Sequence, residues 1–528
     1  MGRRKSPAAL AVAVGIFLSR VAGLVRDRVF AYYLGNSAAA GAFRAALRIP
    51  NFLQNLFGEG VLSASFIPVY ARARAEGRNT EATRLAGAVA AILGIVVTTL
   101  AAMGVIGAPW LIDILAPGFK EPGIRALTIQ LVRIMFPGVA LLVLSAWCLG
   151  VLNSHRYFLL SYVAPVLWNI AIIAALLWSG SQEFQGVDHH SKIAVDVAWG
   201  TLVGCFLQLL VQMPLVLRLT KGMVLNPSFG DPAVRTVLRN FLPVLTSRGV
   251  VQVSAYIDGV IASFLGPAIY SAMAYAQTLY LLPISLFGMS ISAAELPSMS
   301  SVVGNQESIH SQVRLKLTAG LGRVAYFVIP SVVAMALLGD LVIGTIYQTG
   351  EFRASDVMDG WVILGGYTVG LLASTQGRLC STTFYALGDS RTPLKYACIR
   401  VAIAAIGGII VALPARNILQ ISPVEAAGLL AAVAGLAGWI EYLCLRRSLK
   451  QLLGDFRVEP ALGLRLWGFA LCSAVLAFTA KKLLPTFYPA ARGIAILAIY
   501  GSCYLGATIV FNIGQGARIR SALTRRFR

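Results

Sequence analysis

Charge is what this 528-residue chain has least of: Asp, Glu, Lys and Arg make up 12% of it, against 57% hydrophobic residues. The mean hydropathy is +0.75, which excludes an ordinary soluble protein. Acid is the scarcer sign, 22 residues against 44 basic ones. The acidic residues of the predicted outer loops (Asp113, Glu121, Glu183, Asp188, Asp340, Glu351, Asp356 and Asp359) do not cluster as a metal–nucleotide site. The seven cysteines all lie in apolar stretches with no C-x-x-C among them, so they read as small core residues rather than disulfides or metal ligands. The four histidines fall in loops, and the His189-His190 pair has no third ligand nearby, so no metal is expected. A Walker A glycine–lysine loop, H-E-x-x-H and G-x-S-x-G are absent, so neither direct ATP drive nor a soluble-enzyme centre is encoded.

What is there is apolar length. Runs long enough to cross a bilayer recur along the whole chain, from about 7–32 and 38–70 to 460–482 and 490–513. The expectation is an all-α polytopic membrane protein with roughly fourteen spans. Pro50, Pro137, Pro165, Pro243, Pro283 and Pro297 fall inside spans, where they mark kinks. The net charge of +22 follows topology rather than a nucleic-acid partner. With the N-terminus inside, most Lys and Arg outside the spans fall in cytoplasmic loops, as the positive-inside rule requires, and both termini are cytoplasmic. Basic charge here means orientation, with some attraction to anionic lipid. The start, Arg3-Arg4-Lys5 followed by Ala8 to Leu18, imitates a signal peptide, but the apolar run continues through Arg20 without a convincing cleavage site. It reads as a retained first span.

The stretch from Ser19 to Pro68 breaks the apolar pattern. It carries Arg20, Arg26, Asp27, Arg28, Arg44, Arg48 and Glu59. One charge at the bilayer centre costs roughly 2.5–3.5 kcal/mol on insertion scales, so arginines there must face a wet cavity, snorkel or pair with something negative. Arg20 and Asp27 are two turns apart and share a face; Arg28, nearer the outer end, is placed to snorkel. Arg44 and Arg48 form a like-charge i,i+4 pair that an anion or a carboxylate such as Glu59 would bridge. Arginine outnumbers carboxylate, and a phosphate or pyrophosphate matches the guanidinium fork. Farther along, Arg248 and Asp258 share roughly one face of the seventh span, Glu295 lies in the eighth and Arg378 in the tenth. Internal ion pairing is the plainer reading for Arg248, Asp258 and Glu295. A sodium site using Asp258 or Glu295 is not demanded by their spacing.

A faint repeat at an offset of roughly 230 residues links Ala116-Pro-Gly-Phe119 to Gln348-Thr-Gly-Glu-Phe352, and Leu152-Asn-Ser-His-Arg156 to Leu387-Gly-Asp-Ser-Arg391. An even number of spans separates the copies, giving parallel repeats about an axis along the membrane normal. The expected organisation is a six-helix lobe over 1–225, a second over 226–452, and two extra helices with a basic tail over 453–528.

Several motifs carry a family resemblance. Ser19-Arg20-x-x-Gly23-x-x-Arg26-Asp27 resembles the first-helix signature of the MurJ (MviN-like) lipid II flippases. Ala42-Phe43 through Ile49-Pro50-Asn51, then Gly58-Glu59-Gly60 and Ser63-x-x-Phe66-Ile67-Pro68, resembles their second helix. Ala116-Pro117-Gly118-Phe119, Tyr275-Ala276 with Pro283, Leu296-Pro297 and Gly350-x-Phe352 extend the likeness over about residues 7–450. The family belongs to the multidrug/oligosaccharidyl-lipid/polysaccharide exporter superfamily. The resemblance implies translocation of an undecaprenyl-pyrophosphate-linked peptidoglycan precursor from the inner to the outer leaflet by alternating access. It implies a cationic cavity for the pyrophosphate, a lipid-tail groove near the last two helices, and drive from the membrane potential or a coupled monovalent cation that stays unassigned. It also implies a bacterial inner-membrane location, with cell-wall synthesis proteins as partners. Arg20 and Arg26 match family arginines and Glu59 the second-helix glutamate.

The chain departs from the pattern at four positions. Gly41 stands where many members carry Asp, Gln54-Asn55 where an arginine pair is usual, and Thr278 where the eighth helix has arginine. Arg44, Arg48 and Arg248 are candidates to replace those charges from neighbouring turns. The expected pyrophosphate contacts are therefore Arg20, Arg26, Arg44, Arg48 and Arg248, with Asp27, Glu59, Asp258 and Glu295 as cavity carboxylates. The competing readings are a flippase for another polyprenyl-pyrophosphate oligosaccharide, of O-antigen or capsule type, and a cation-coupled drug exporter, which needs a carboxylate-dominated cavity. An integral-membrane enzyme needs paired carboxylates near a membrane face, and a non-transporting scaffold for cell-wall proteins is a further alternative.

Overall fold

The computed structural model describes residues 7–57, 59–182, 189–457, 459–484, 488–517 and 520–521, and these are helices joined by short turns. Eleven helical segments of the described chain are long and apolar enough to cross a membrane. The helices carrying Arg20, Arg44 and Arg248 are not among the eleven. The chain divides into two compact units, one of residues 1–271 with 349–351, the other of residues 272–348 with 352–528.

In the first unit the helices are α1 Pro7–Leu34, α2 Ala38–Phe57, α3 Glu59–Ser65, α4 Ile67–Ala75, α5 Asn79–Ile106, α6 Ala108–Leu115, α7 Pro122–Met135, α8 Pro137–Ser154, α9 Phe158–Gly180, α10 His189–Leu219 and α11 Pro232–Ser263. The single span expected over 38–70 is therefore three helices in series. Breaks fall where the chemistry requires them. Pro68 and Pro137 sit in the first turns of α4 and α8, where a missing N–H costs nothing. Asp231 caps α11 by accepting from the Ala233 amide at 2.8 Å. α1 packs on α9, α9 on α10, and α10 on α7 and α8. α2 lies against α7 and α8, while α11 packs on α2, α3, α5 and α6. By packing, then, α11 belongs with the helices before it, although the repeat in the sequence starts a new lobe at 226. Packing and internal symmetry are different criteria, and here they divide the chain at different places.

The second unit begins inside α12 Pro267–Pro283, after Ser271, and continues with α13 Ser290–Ser300, α14 Gln306–Leu337, α15 Gly339–Tyr347, α16 Ala354–Ala386, α17 Arg391–Ile410, α18 Arg416–Leu419, α19 Pro423–Leu453, α20 Pro460–Leu483 and α21 Pro489–Val510. Two wide π turns, Ile284–Met289 directly after Pro283 and Val411–Ala415 around Pro414, mark where proline forces the helical ladder to open. Long helix, short helix, long helix recurs from α5–α6–α7 to α14–α15–α16, at the offset of roughly 230 residues seen in the sequence.

α16 and α19 are the tightest pair in this unit. A Cβ on Gly435 would lie 2.6 Å from the Gly370 nitrogen, and one on Gly366 would run into the Gly428 carbonyl. The helices thus meet backbone to backbone along a glycine seam, the small-residue packing that membrane helices use in place of a hydrophobic drive. The Trp439 indole donates to the Val369 carbonyl at 2.7 Å across the same interface.

The last two helices dock through tyrosines. Pro330 interrupts α14 and has no N–H to give, which leaves the carbonyl four residues back, that of Tyr326, without its helical donor. The Tyr504 hydroxyl donates to that carbonyl at 2.7 Å, the Tyr500 hydroxyl to the Pro330 carbonyl at 2.8 Å, and Tyr326 Oη meets Thr508 Oγ1 at 2.8 Å. Around these bonds Ile329, Val333, Leu466, Ala470 and Ile496 close a buried apolar cluster.

Candidate functional site

The first-unit arginines are held by aromatic rings and one carboxylate. On α1, Arg26 places both Nε (3.2 Å) and Nη2 (2.9 Å) on Oδ1 of Asp27. Asp27 is 6% exposed, so this pair is largely out of solvent. The same guanidinium lies 5.2 Å from the ring centre of Trp168 on α9. Cation–π contact and ion pairing together orient the fork, and they satisfy a charge that α1 could not otherwise carry inside apolar surroundings. Asp27 takes its ion pair from its sequence neighbour Arg26, while Arg20, two turns back on the same helix, is exposed.

Arg44 and Arg48 diverge. Arg44 lies 4.9 Å from the Phe30 ring of α1, which in turn packs on Phe43. Arg48 turns toward α11, 5.2 Å from the Tyr256 ring, and its Nη1 donates to the Tyr270 hydroxyl at 3.3 Å. The Tyr256 hydroxyl donates to the Arg48 carbonyl. The i,i+4 spacing put these two guanidiniums one above the other, but their ring partners on different helices pull them apart.

The fit around Arg48 is close. A Cβ at Gly259 of α11 would collide with Arg48 Nη1 and stand 3.3 Å from the Tyr270 hydroxyl. The cavity bounded by Arg48, Ile112, Leu115, Tyr256, Gly259 and Tyr270 holds about 10 Å³. That is room for about one water. An anion meeting Arg48 there requires one of the two tyrosine rings to move aside.

The departures from the family pattern have structural reasons at two positions. At Gly41 a Cβ would come within 2.8 Å of Pro267 Cα and closer still to its carbonyl, so the start of α12 occupies the place where an Asp side chain would go. Thr278 turns its hydroxyl back to the Ala274 carbonyl at 3.0 Å and spends its polarity on its own helix. Gln54 and Asn55 lie in the last turn of α2, partly buried and exposed respectively.

Of the remaining candidates, Glu295 is buried on α13 and ion-paired to Arg323 of α14, as the plain reading expected. Asp258 is half-buried on α11. The side chains of Glu59 and Arg248 lie outside the described residues. Among the described residues no group of three or more His, Cys, Asp or Glu could hold a metal. Trp168, Tyr256 and Tyr270 were not singled out in the sequence. They lie far from their arginines along the chain, and the only local signal was an aromatic ring inside an apolar span.

A family model described as lipid II flippase MurJ matches residues 30–505. A lipid II flippase MurJ of Burkholderia cenocepacia is 33% identical over 396 residues, covering 74% of this chain and 75% of the relative. A probable lipid II flippase MurJ of Haemophilus influenzae is 31% identical over 393 residues, covering 72% and 75%. Among solved structures, a lipid II flippase MurJ in an inward closed conformation superposes with a TM-score of 0.76 at 24% identity, covering 95% of this chain and all of that one. An inward-facing multidrug resistance transporter of the MATE family gives 0.63 at 17% identity, covering 84% and 98%, a likeness of fold. With nine-tenths of its length inside one family model, and a relative 33% identical over three-quarters of both chains, the chain belongs to the MurJ lipid II flippase family.

Proposed function

We propose that this chain is a multi-pass membrane transporter that flips lipid II, the pyrophosphate-linked peptidoglycan precursor, from the inner to the outer leaflet of the bacterial cytoplasmic membrane, both termini being cytoplasmic. The observation that carries this reading is the family match across residues 30–505. In it, Arg20, Arg26, Arg44 and Arg48 contact the pyrophosphate, Asp27 and Glu59 keep them positioned, and two six-helix lobes, 1–225 and 226–452, alternate access while 453–528 carries the lipid-tail groove. Arg248, Asp258 and Glu295 are further cavity groups in this proposal, Glu295 acting through its pairing with Arg323. The pairing of Arg26 with Asp27 over Trp168 supports it, because a pre-oriented guanidinium loses little entropy when it takes up a phosphate.

No ATP is needed. Moving two negative charges outward is favoured by an inside-negative potential, at about 2.3 kcal/mol per charge per 100 mV. A cation-coupled drug exporter is disfavoured because arginine outnumbers carboxylate in the Ser19–Pro68 stretch, whereas a cationic cargo calls for a carboxylate-dominated cavity.

The test uses cells depleted of their own flippase. Wild-type chain rescues growth, and Arg26→Ala at equal expression does not; full rescue by Arg26→Ala would overturn the assigned role. A flipping assay on purified protein with lipid II and a competing polyprenyl-linked oligosaccharide decides the substrate.

A further inference from the structure

The second unit contains a charged group that the proposed site does not use. Arg400 of α17 reaches Glu441 of α19, Nη1 to Oε2 at 3.3 Å, with the Glu441 side chain 15% exposed and that of Arg400 39%. Arg378 of α16 lies within electrostatic reach of both, and of Tyr280 and Tyr385. One carboxylate thus stands in contact with one guanidinium and within electrostatic reach of a second, inside three segments long and apolar enough to cross the membrane. Glu441 closes its contact with Arg400; among the described residues Arg378 has no ion pair of its own.

The surroundings keep Arg378 turned away from the core. Arg378 is exposed, although its neighbour Gly377 faces Tyr442 of α19 and Ser374, one turn back, lies against Gly438 of the same helix. Tyr367, Ser374, Arg378 and Tyr385 follow at spacings of seven, four and seven, one stripe of α16. Tyr280 of α12 stacks on Tyr367 at 5.0 Å and donates to Ser374 Oγ at 3.2 Å, which makes the stripe rigid above the arginine. A positive charge held on a polar stripe, with half a counter-ion, is an attractor for an anion.

We propose that Arg378 and Arg400, poised by Glu441, form a second anion-binding site in this chain, selective for a phosphate or pyrophosphate group. Glu441 is the positioning residue: it holds Arg400 and limits the net charge to one, so that the anion binds and also leaves. The site deepens the flippase reading by giving the pyrophosphate a contact in the second unit, and it rests on that reading only for where the phosphate comes from.

The test replaces the seven native cysteines with serine, introduces Ser381→Cys one turn from Arg378, and measures its reaction with an anionic and a cationic methanethiosulfonate. The anionic reagent is expected to be favoured by about fivefold, and Arg378→Gln or Arg400→Gln removes that preference while Arg378→Lys keeps it. Inorganic pyrophosphate slows labelling if the site takes free phosphate; farnesyl pyrophosphate alone slowing it assigns the site to a lipid headgroup. In both arms Arg378→Gln abolishes protection, and Glu441→Gln strengthens it. Equal labelling by both reagents, or protection that survives Arg378→Gln, overturns the proposal. Circular dichroism and gel filtration of each variant exclude misfolding as the cause. Because the readout is local, it stands whether or not the protein flips lipid II.

Discussion

Gly41 of α2 lies against the backbone of Pro267, so that α2 and the start of α12 touch with no side chain between them. The contact is with backbone, which cannot swing away as a flexible side chain can. Gly41→Ala is expected to cost about 1–3 kcal/mol through overpacking. Gly41→Asp, the residue that the family resemblance leads one to expect here, should be worse than Ala, since it adds a charge to the wedge. Thermal unfolding of the purified variants checks the order.

Gly259 makes the matching prediction for function. There the obstacle is the end of the Arg48 side chain, which can move, so Gly259→Ala should leave stability nearly unchanged but push the guanidinium off Tyr270. Transport is expected to fall with normal expression. Unaltered transport would show that the Arg48–Tyr270 contact has no part in the cycle.

Tyr504→Phe removes the donor that satisfies the carbonyl freed by Pro330. An unsatisfied buried acceptor costs about 1–3 kcal/mol. Tyr500→Phe should cost less, because the Pro330 carbonyl keeps its ordinary helical partner. Comparing the two melting temperatures separates a proline-specific bond from a generic one.

At the turn between α8 and α9, His155 Nε2 lies 3.0 Å from the Tyr70 hydroxyl, and Arg74 donates to the Ser154 carbonyl at 2.9 Å. Burial, aided by the Arg74 charge, pushes the His155 pKa down to about 4. The unfolded chain, near 6.5, binds this proton first as pH falls. The contribution is therefore complete above pH 6.5 and is lost progressively between 6.5 and 4. Local hydrogen exchange at this turn should rise over that window in the wild type, and the rise should disappear in His155→Phe.

Gly370→Leu inserts a side chain into the seam with α19, where the facing atoms are the backbone of Gly435. Loss of folded protein, rather than a shifted melting point, is the expected outcome, measured as recovery from the membrane after extraction. Gly365→Leu on the same helix, where a Cβ meets nothing within 4 Å, is the control and should be tolerated.

Much of the fold was legible because helices in a membrane must be long, apolar and punctuated. Apolar length placed the helices near where they lie, and Pro283 announced the opened turn that follows it. The division of 38–70 into three helices was marked only by Gly58 and Pro68, signals that a single kinked span could carry equally well. The arginines of the first unit stood out as charges in apolar surroundings. Their partners did not: Trp168, Tyr256 and Tyr270 look like any aromatic in a span, and only folding brings them to the guanidiniums. The Arg400–Glu441 pair had the same kind of signal as Arg26, a lone charge in an apolar run, but with no motif to draw attention to it. Gly41 could be read as a missing charge; that it is also a missing volume needed Pro267.

The seam between α16 and α19 constrains more than packing. Where a large residue crowds a small one, a lineage can drift by enlarging one side and shrinking the other. At Gly366 against Gly428, and at Gly370 against Gly435, both sides are already at the minimum. No single change at one position can be offset at its partner, and no exchange of sizes is available. At Gly366, Gly370 and Gly435 an added Cβ would meet facing backbone, so any lineage that enlarged one of them would have to part the helices.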